Sequence, residues 1–113
     1  MPNYNENYTP ETFRTRTGAS LTASYKTIGS VITHPSRQLI IVNNTGILVY
    51  ISWDGTNDHV ALLAGASLVL DSSSNSVSDS VLATRAQTQF YARDPANLGT
   101  GTDNIYLSTF YAA

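Results

Sequence analysis

Residues 37–60 read RQLIIVNNTGILVYISWDGTNDHV. Two runs dense in Ile, Leu, Val and Tyr flank Asn44-Thr45-Gly46, and the second run ends in Trp53-Asp54-Gly55. β-Branched and aromatic residues bounded by Asn, Asp and Gly form strands separated by turns. The stretch therefore predicts a hairpin between residues 38–43 and 47–53, and an antiparallel β architecture. Because side chains alternate across a strand, its two faces can be read separately. Ile47, Val49, Ile51 and Trp53 share one face, with Leu48, Tyr50 and Ser52 on the other. Leu39 and Ile41 likewise stand opposite Ile40 and Val42.

A two-layer sandwich needs only one apolar face per sheet, yet the second face here also holds large apolar residues. Each one left in water forgoes about 1.5–3 kcal/mol of burial, and several together make a patch that monomers seldom expose. The N-terminal residues or a loop of the same chain could cover this face. We expect a partner subunit to do so, with Leu48 and Tyr50 as its self-association residues.

Working outward, short β-prone runs alternate with turn signals, the spacing of an all-β sandwich or barrel. Residues 21–33 form a long β-prone run, bent near Gly29, and His34-Pro35-Ser36 is a turn. Residues 59–63, 67–71, 87–93 and 104–111 read as further strands. Residues 72–80 are a polar, serine-rich loop, residues 94–103 a Gly, Pro and Asn loop, and only residues 81–86 leave room for a turn of helix. The expected fold is an all-β antiparallel sandwich, jelly-roll-like, over residues 19–113.

Residues 1–18, MPNYNENYTPETFRTRTG, read as an extended N-terminal arm. Pro2 and Pro10 oppose helix, and Tyr4, Tyr8 and Phe13 are more aromatic than a plain polar tail requires. These three are the expected anchors of an arm that docks on a neighbour, with Arg14 and Arg16 offering charge pairs. The segment lacks the apolar core of a secretion signal, and no run approaches the apolar length of a membrane span.

Composition narrows the function. Of 113 residues, 12% are charged and 42% hydrophobic, with a formal net charge of −2. The charged share is about half the usual roughly 25%, which suits a surface covered by neighbours. Nothing basic marks a nucleic-acid footprint, so neither nucleic acid nor membrane is an expected partner. There is no cysteine, hence no disulfide framework and no thiolate chemistry.

Candidate chemistry is thin. His34 and His59 are the only side chains whose ordinary titration range lies near neutrality, and both sit among turn residues. No Gly-x-Ser-x-Gly elbow supports a serine nucleophile. Asp54, Asn57 and Asp58, or Asp94, Asp103 and Asn104, could offer oxygens to a hard cation, but neither set has the EF-hand spacing and turn formation accounts for both. Gly99-Thr100-Gly101 lacks the third glycine of a dinucleotide loop. Trp53 with Tyr50 could form a sugar-binding platform, although a Trp ending a core strand more often packs inward. The chain is expected to be non-enzymatic, with no cofactor and no metal.

IIVNNTGILVYISWDGTNDHV at 40–60, LLAGASLVLD at 62–71 and the terminal NIYLSTFYAA together resemble small virion β-sandwich proteins of tailed bacteriophages. The resemblance covers residues 37–71 and 104–113 and is one of strands and turns. It implies a structural protein of the virion, assembled in the host bacterial cytoplasm. Proteins of this kind act as capsid decoration, or cement, clamping major capsid proteins together, often as dimers. A head–tail connector or tail-ring subunit is the implied alternative, and a carbohydrate-binding β module is a further one.

Overall fold

The computed structural model describes residues 8–71, 76–77, 80–81 and 84–112. In chain order the strands are β1 (Tyr8–Pro10), β2 (Arg14–Thr17), β3 (Lys26–Thr27), β4 (Gln38–Asn43), β5 (Val49–Ser52), β6 (Val60–Leu62), β7 (Ser67–Asp71), β8 (Ser76–Val77), β9 (Ser80–Val81), β10 (Tyr91–Arg93) and β11 (Asn104–Ala112), with a 3-10 turn at Gly18–Ser20. They form two antiparallel sheets packed as a sandwich. The first has the order β1-β11-β4-β7, with β2 also on β11; the second has the order β3-β10-β5-β6. β8 and β9 pair only with each other.

The core follows the strand alternation. Leu39 and Ile41 of β4 and Ile105 and Leu107 of β11 face Val49 and Ile51 of β5, Leu62 of β6 and Ala92 of β10, all of them buried. Leu21, Ile28, Ile32, Ile47 and Phe90 complete the cluster from segments outside the strands. Of residues 21–33, only β3 is strand. The remainder follows the edge of the second sheet irregularly, bonding Ile28 N–H to the Phe90 carbonyl and Ile32 N–H to that of Thr88. The bend falls at Gly29, whose φ of 63° suits glycine.

The expected hairpin across Asn44-Thr45-Gly46 is a corner between sheets. β4 pairs with β11 and β7, whereas β5 pairs with β6 and β10. The fully buried Asn43 side chain holds the corner. Its Nδ2 donates to the carbonyls of Ile47 (2.8 Å), Leu62 (2.9 Å) and Leu63 (3.1 Å), and its Oδ1 accepts from the Thr45 N–H and hydroxyl. One carboxamide thus satisfies backbone groups that a hairpin ladder would otherwise have paired. With the chain turned this way, the apolar faces of β4 and β5 oppose each other across the core.

Residues 8–17, read from sequence as part of an extended N-terminal arm, lie along the first sheet. β1 lies along Phe110–Ala112 and β2 along Asn104–Leu107, so the two strands sit end to end on one side of β11. β11 of the same chain supplies the strand partner for this stretch of the extended arm, and residues 1–7 lie outside the described residues.

Candidate functional site

The outer face of the first sheet follows from its register. Ile40 stands opposite Val69 and Ser108, Val42 opposite Ser67 and Tyr106, and Phe110 opposite Gln38 and Pro10. Phe13 adds its ring to that of Tyr106, with centroids 5.8 Å apart. Phe13 and Val69 are more than half exposed, while Ile40, Val42, Tyr106 and Phe110 are half-buried between neighbouring strands. No charged residue stands opposite Ile40 or Val42 in either adjoining strand. The result is an apolar sheet face presented outward.

The outer face of the second sheet carries its own cover. Tyr50 stands opposite Arg93 of β10 and Ala61 of β6. The Arg93 guanidinium lies over the Tyr50 ring at 5.0 Å and the Tyr25 ring at 5.5 Å, an arrangement favoured by the ring quadrupole. It also makes a two-pronged pair with Asp58, both contacts at 2.9 Å, and the Tyr25 hydroxyl donates to the same carboxylate. Arg93 first, and then Tyr25, lower the Asp58 carboxyl to about 2. Burial, followed by donation to Asp58, raises the Tyr25 hydroxyl.

The turn after β5 is equally self-contained. The Asp54 carboxylate accepts from Ser52 Oγ, Thr56 N–H, Asn57 N–H and Asn57 Nδ2. The Asn57 and Thr56 amides lead in holding it far below the ordinary range. Gly55 lies against the Tyr91 ring, where an added Cβ would approach to 3.1 Å. Trp53 packs edge-on to Phe90 at 5.1 Å and to His59 at 5.7 Å, and the Trp53 backbone N–H donates to His59 Nδ1. Of the oxygens considered for a cation, those of Asp54 and Asp58 are spent on the turn and on Arg93, and Asp94 Oδ2 accepts from the Leu98 and Gly99 N–H groups. Among the described residues, no group of three or more His, Asp or Glu could hold a metal ion.

The gap between β1 and β2 forms an open cavity of about 450 Å³ beside Glu11, Phe13, Thr33, His34 and Tyr111. Glu11 Oε1 accepts from Arg14 Nη2 (2.7 Å) and Thr33 N–H; its Oε2 accepts from Thr33 Oγ1, His34 N–H (2.8 Å) and His34 Nδ1 (2.8 Å). The His34 ring stacks on Tyr111 at 3.7 Å. Burial alone would raise the Glu11 carboxyl, but Arg14, His34 and Thr33 outweigh it and bring it down to about 2. A carboxylate held there is a poor proton acceptor near neutrality. Glu11 Oε2 and Thr33 Oγ1 both approach Nδ1 of His34, so the ring does not bridge them as a relay would require. The cluster instead ties residues 30–34 to the strand gap.

The residues singled out from sequence fall in separate places. Tyr4 lies outside the described residues, as does the Tyr8 side chain, although the Tyr8 backbone pairs with Ala112. Phe13 reaches the outer face of the first sheet. Arg14 is buried and spent on the Ser30, Val31 and Thr12 carbonyls and on Glu11; Arg16 bonds the Thr27 carbonyl and hydroxyl. Leu48 and Tyr50 belong to the strand line of the second sheet, across the sandwich from Ile40 and Val42. Val69, Tyr106 and Phe110 were missed, although the alternation of Ile105, Leu107 and Thr109 with Tyr106, Ser108 and Phe110 already separates them. Comparison with protein-family models, curated proteins and solved structures finds no match.

Proposed function

We propose that this chain is a non-enzymatic structural subunit of a tailed-phage virion, which decorates and cements the capsid by seating the outer face of its first sheet on major capsid proteins. The observation that carries this reading is the apolar face of Ile40, Val42, Val69, Tyr106, Phe110 and Phe13, paired with polar clusters whose groups are consumed internally. The strand order adds support for jelly-roll-like wiring. Counting β1 with β2 as one strand and leaving aside the β8–β9 hairpin, the first sheet runs first, last, third, sixth, and the second runs second, seventh, fourth, fifth. Affinity per copy is modest and is multiplied over a symmetric shell by avidity.

Co-sedimentation of the full chain with purified capsids tests the proposal. Hundreds of copies per particle is the expected result, and about a dozen would place the protein in a connector or tail ring. Absence of binding to capsids and tails alike would remove the virion reading. A sugar platform at Trp53 has less support, since that ring is packed edge-on to Phe90.

A further inference from the structure

Among the described residues, the four edges of the sandwich's two sheets differ in how well they are guarded against another strand. An edge strand offers unpaired N–H and C=O groups, and proteins blunt such edges with short strands, Pro, Lys or breaks. The β1/β2 edge contains Pro10 and is interrupted at residues 11–13. β3 is two residues long and includes Lys26, and β6 is three residues long. β7, Ser67-Leu68-Val69-Leu70-Asp71, has five residues with no Pro, Gly, Lys or Arg, and Val69 and Leu70 are exposed.

Ladder phase determines which β7 groups point outward. Asn44 N–H bonds the Asn104 carbonyl and Asn43 N–H bonds the Ala66 carbonyl. Even-numbered β4 residues therefore exchange bonds with β11 and odd-numbered ones with β7. Leu68 and Leu70, opposite Ile41 and Leu39, turn their backbone groups toward β4. Ser67 and Val69 turn theirs away from the sheet.

We infer that β7 pairs antiparallel with β7 of a second copy of this chain, across a two-fold axis at Val69. The two Val69 residues then exchange both N–H···O=C bonds. The same register sets Leu68 opposite the partner copy's Leu70 and Ser67 opposite its Asp71, so no carboxylate faces another directly. The pleat keeps both apolar outer faces on the same side, which makes one continuous sheet of the two. The inference goes beyond the assembly reading above, because it concerns the backbone edge of β7 and not the outer face of the first sheet. A five-residue strand pair falls well short of the roughly 1,200 Å² of a standard stable interface, so the dimer is weak in dilute solution and grows with concentration.

Single-cysteine variants test the register, because the chain has no cysteine of its own. In the inferred pairing the Val69 Cα atoms lie about 5.5 Å apart, within the range of roughly 4.4–6.8 Å that a disulfide bridges. The two Ser67 Cα atoms lie about 13 Å apart, four residue steps along the strand. Under mild oxidation of the full chain, Val69→Cys is expected to form disulfide dimers on the order of tenfold faster than Ser67→Cys and than Leu98→Cys, a remote exposed position. Equal rates, or a faster Ser67→Cys, would overturn the inference. Val69→Pro removes only an outward N–H, a change edge strands tolerate. It should abolish concentration-dependent dimers in sedimentation while leaving the β-sheet circular dichroism unchanged. Shell binding by Val69→Cys without its faster cross-linking would remove the dimer alone. Cross-linking without any shell binding would remove the virion reading and leave the dimer standing.

Discussion

On the outside of the first sheet, Ile40, Val42 and Tyr106 stand side by side with Val69, Ser67 and Ser108 as their cross-strand neighbours. On the outside of the second, Tyr50 has Arg93 directly across from it, and Arg93 in turn holds Tyr25 and Asp58. Both faces began with the same need to shield apolar rings and branched chains. The second meets it within the chain, using a cation that stacks on rings while its charge is neutralised by a carboxylate. Among the described residues the first has no such device, and its apolar side chains remain half-buried to exposed. In a chain with only six Lys and Arg residues, the place of Arg93 decides which side of the sandwich keeps an apolar face without a cation over it.

The contrast depends on β4 and β5 lying in different sheets, and removing the Asn43 corner is the strongest way to break it. Asn43→Ala leaves three carbonyls and two Thr45 donors without the partner they now have. At about 1–3 kcal/mol for each buried group left unsatisfied, with partial relaxation, a loss of roughly 4 kcal/mol is expected in urea unfolding, read from the midpoint. A loss below about 1 kcal/mol would mean that the corner is held by the core alone.

Glu11 ranks next, because it anchors the strand gap at the edge of the first sheet. Its carboxyl falls from 4.5 to about 2 on folding, a shift of roughly 3 kcal/mol. A group depressed on folding contributes stability that is fully present above its unfolded value. That contribution disappears as the pH falls through the folded value, so the window runs from about 4.5 down to about 2. Glu11→Gln should flatten this acid limb of the stability curve relative to wild type. An unchanged slope between pH 5 and 2 would show that Glu11 is not responsible.

The smallest change in stability, and the most direct comparison of the faces, comes from exchanging their characters. Arg93→Ala uncovers the Tyr25 and Tyr50 rings and should raise the fluorescence of a hydrophobic dye. Ile40→Ser together with Val42→Ser should lower dye binding and shell occupancy, at a stability cost of about 1 kcal/mol. If dye binding responds to neither change, the two faces do not differ in adhesiveness.

Alternation made much of the core legible. Leu39, Ile41, Val49 and Ile51 face inward as the period of two in residues 39–42 and 47–51 indicates, and Trp53 packs against that core. The hairpin was not legible, because Asn44-Thr45-Gly46 has turn chemistry in either geometry. What selects the corner is the arrival of the Leu62 and Leu63 carbonyls at Asn43 from some twenty residues away. The adhesive patch was half legible. Ile40 and Val42 were recognised as a second face, but they were grouped with Leu48 and Tyr50 because the chain's change of sheet was not foreseen. Arg14 and Arg16 looked like charges on offer, and only folding shows their guanidinium groups committed to backbone carbonyls.

β11 lies in the middle of the first sheet, between β1 and β2 on one side and β4 on the other, and it is the last of the described strands to leave the ribosome. During synthesis, every earlier strand of that sheet except the β4–β7 pair waits without its neighbour. A nascent chain that stalls before residue 104 therefore holds β1, β2 and one flank of β4 open to pairing with other chains. The first sheet can close only once residues 104–112 are available to pair with β1, β2 and β4.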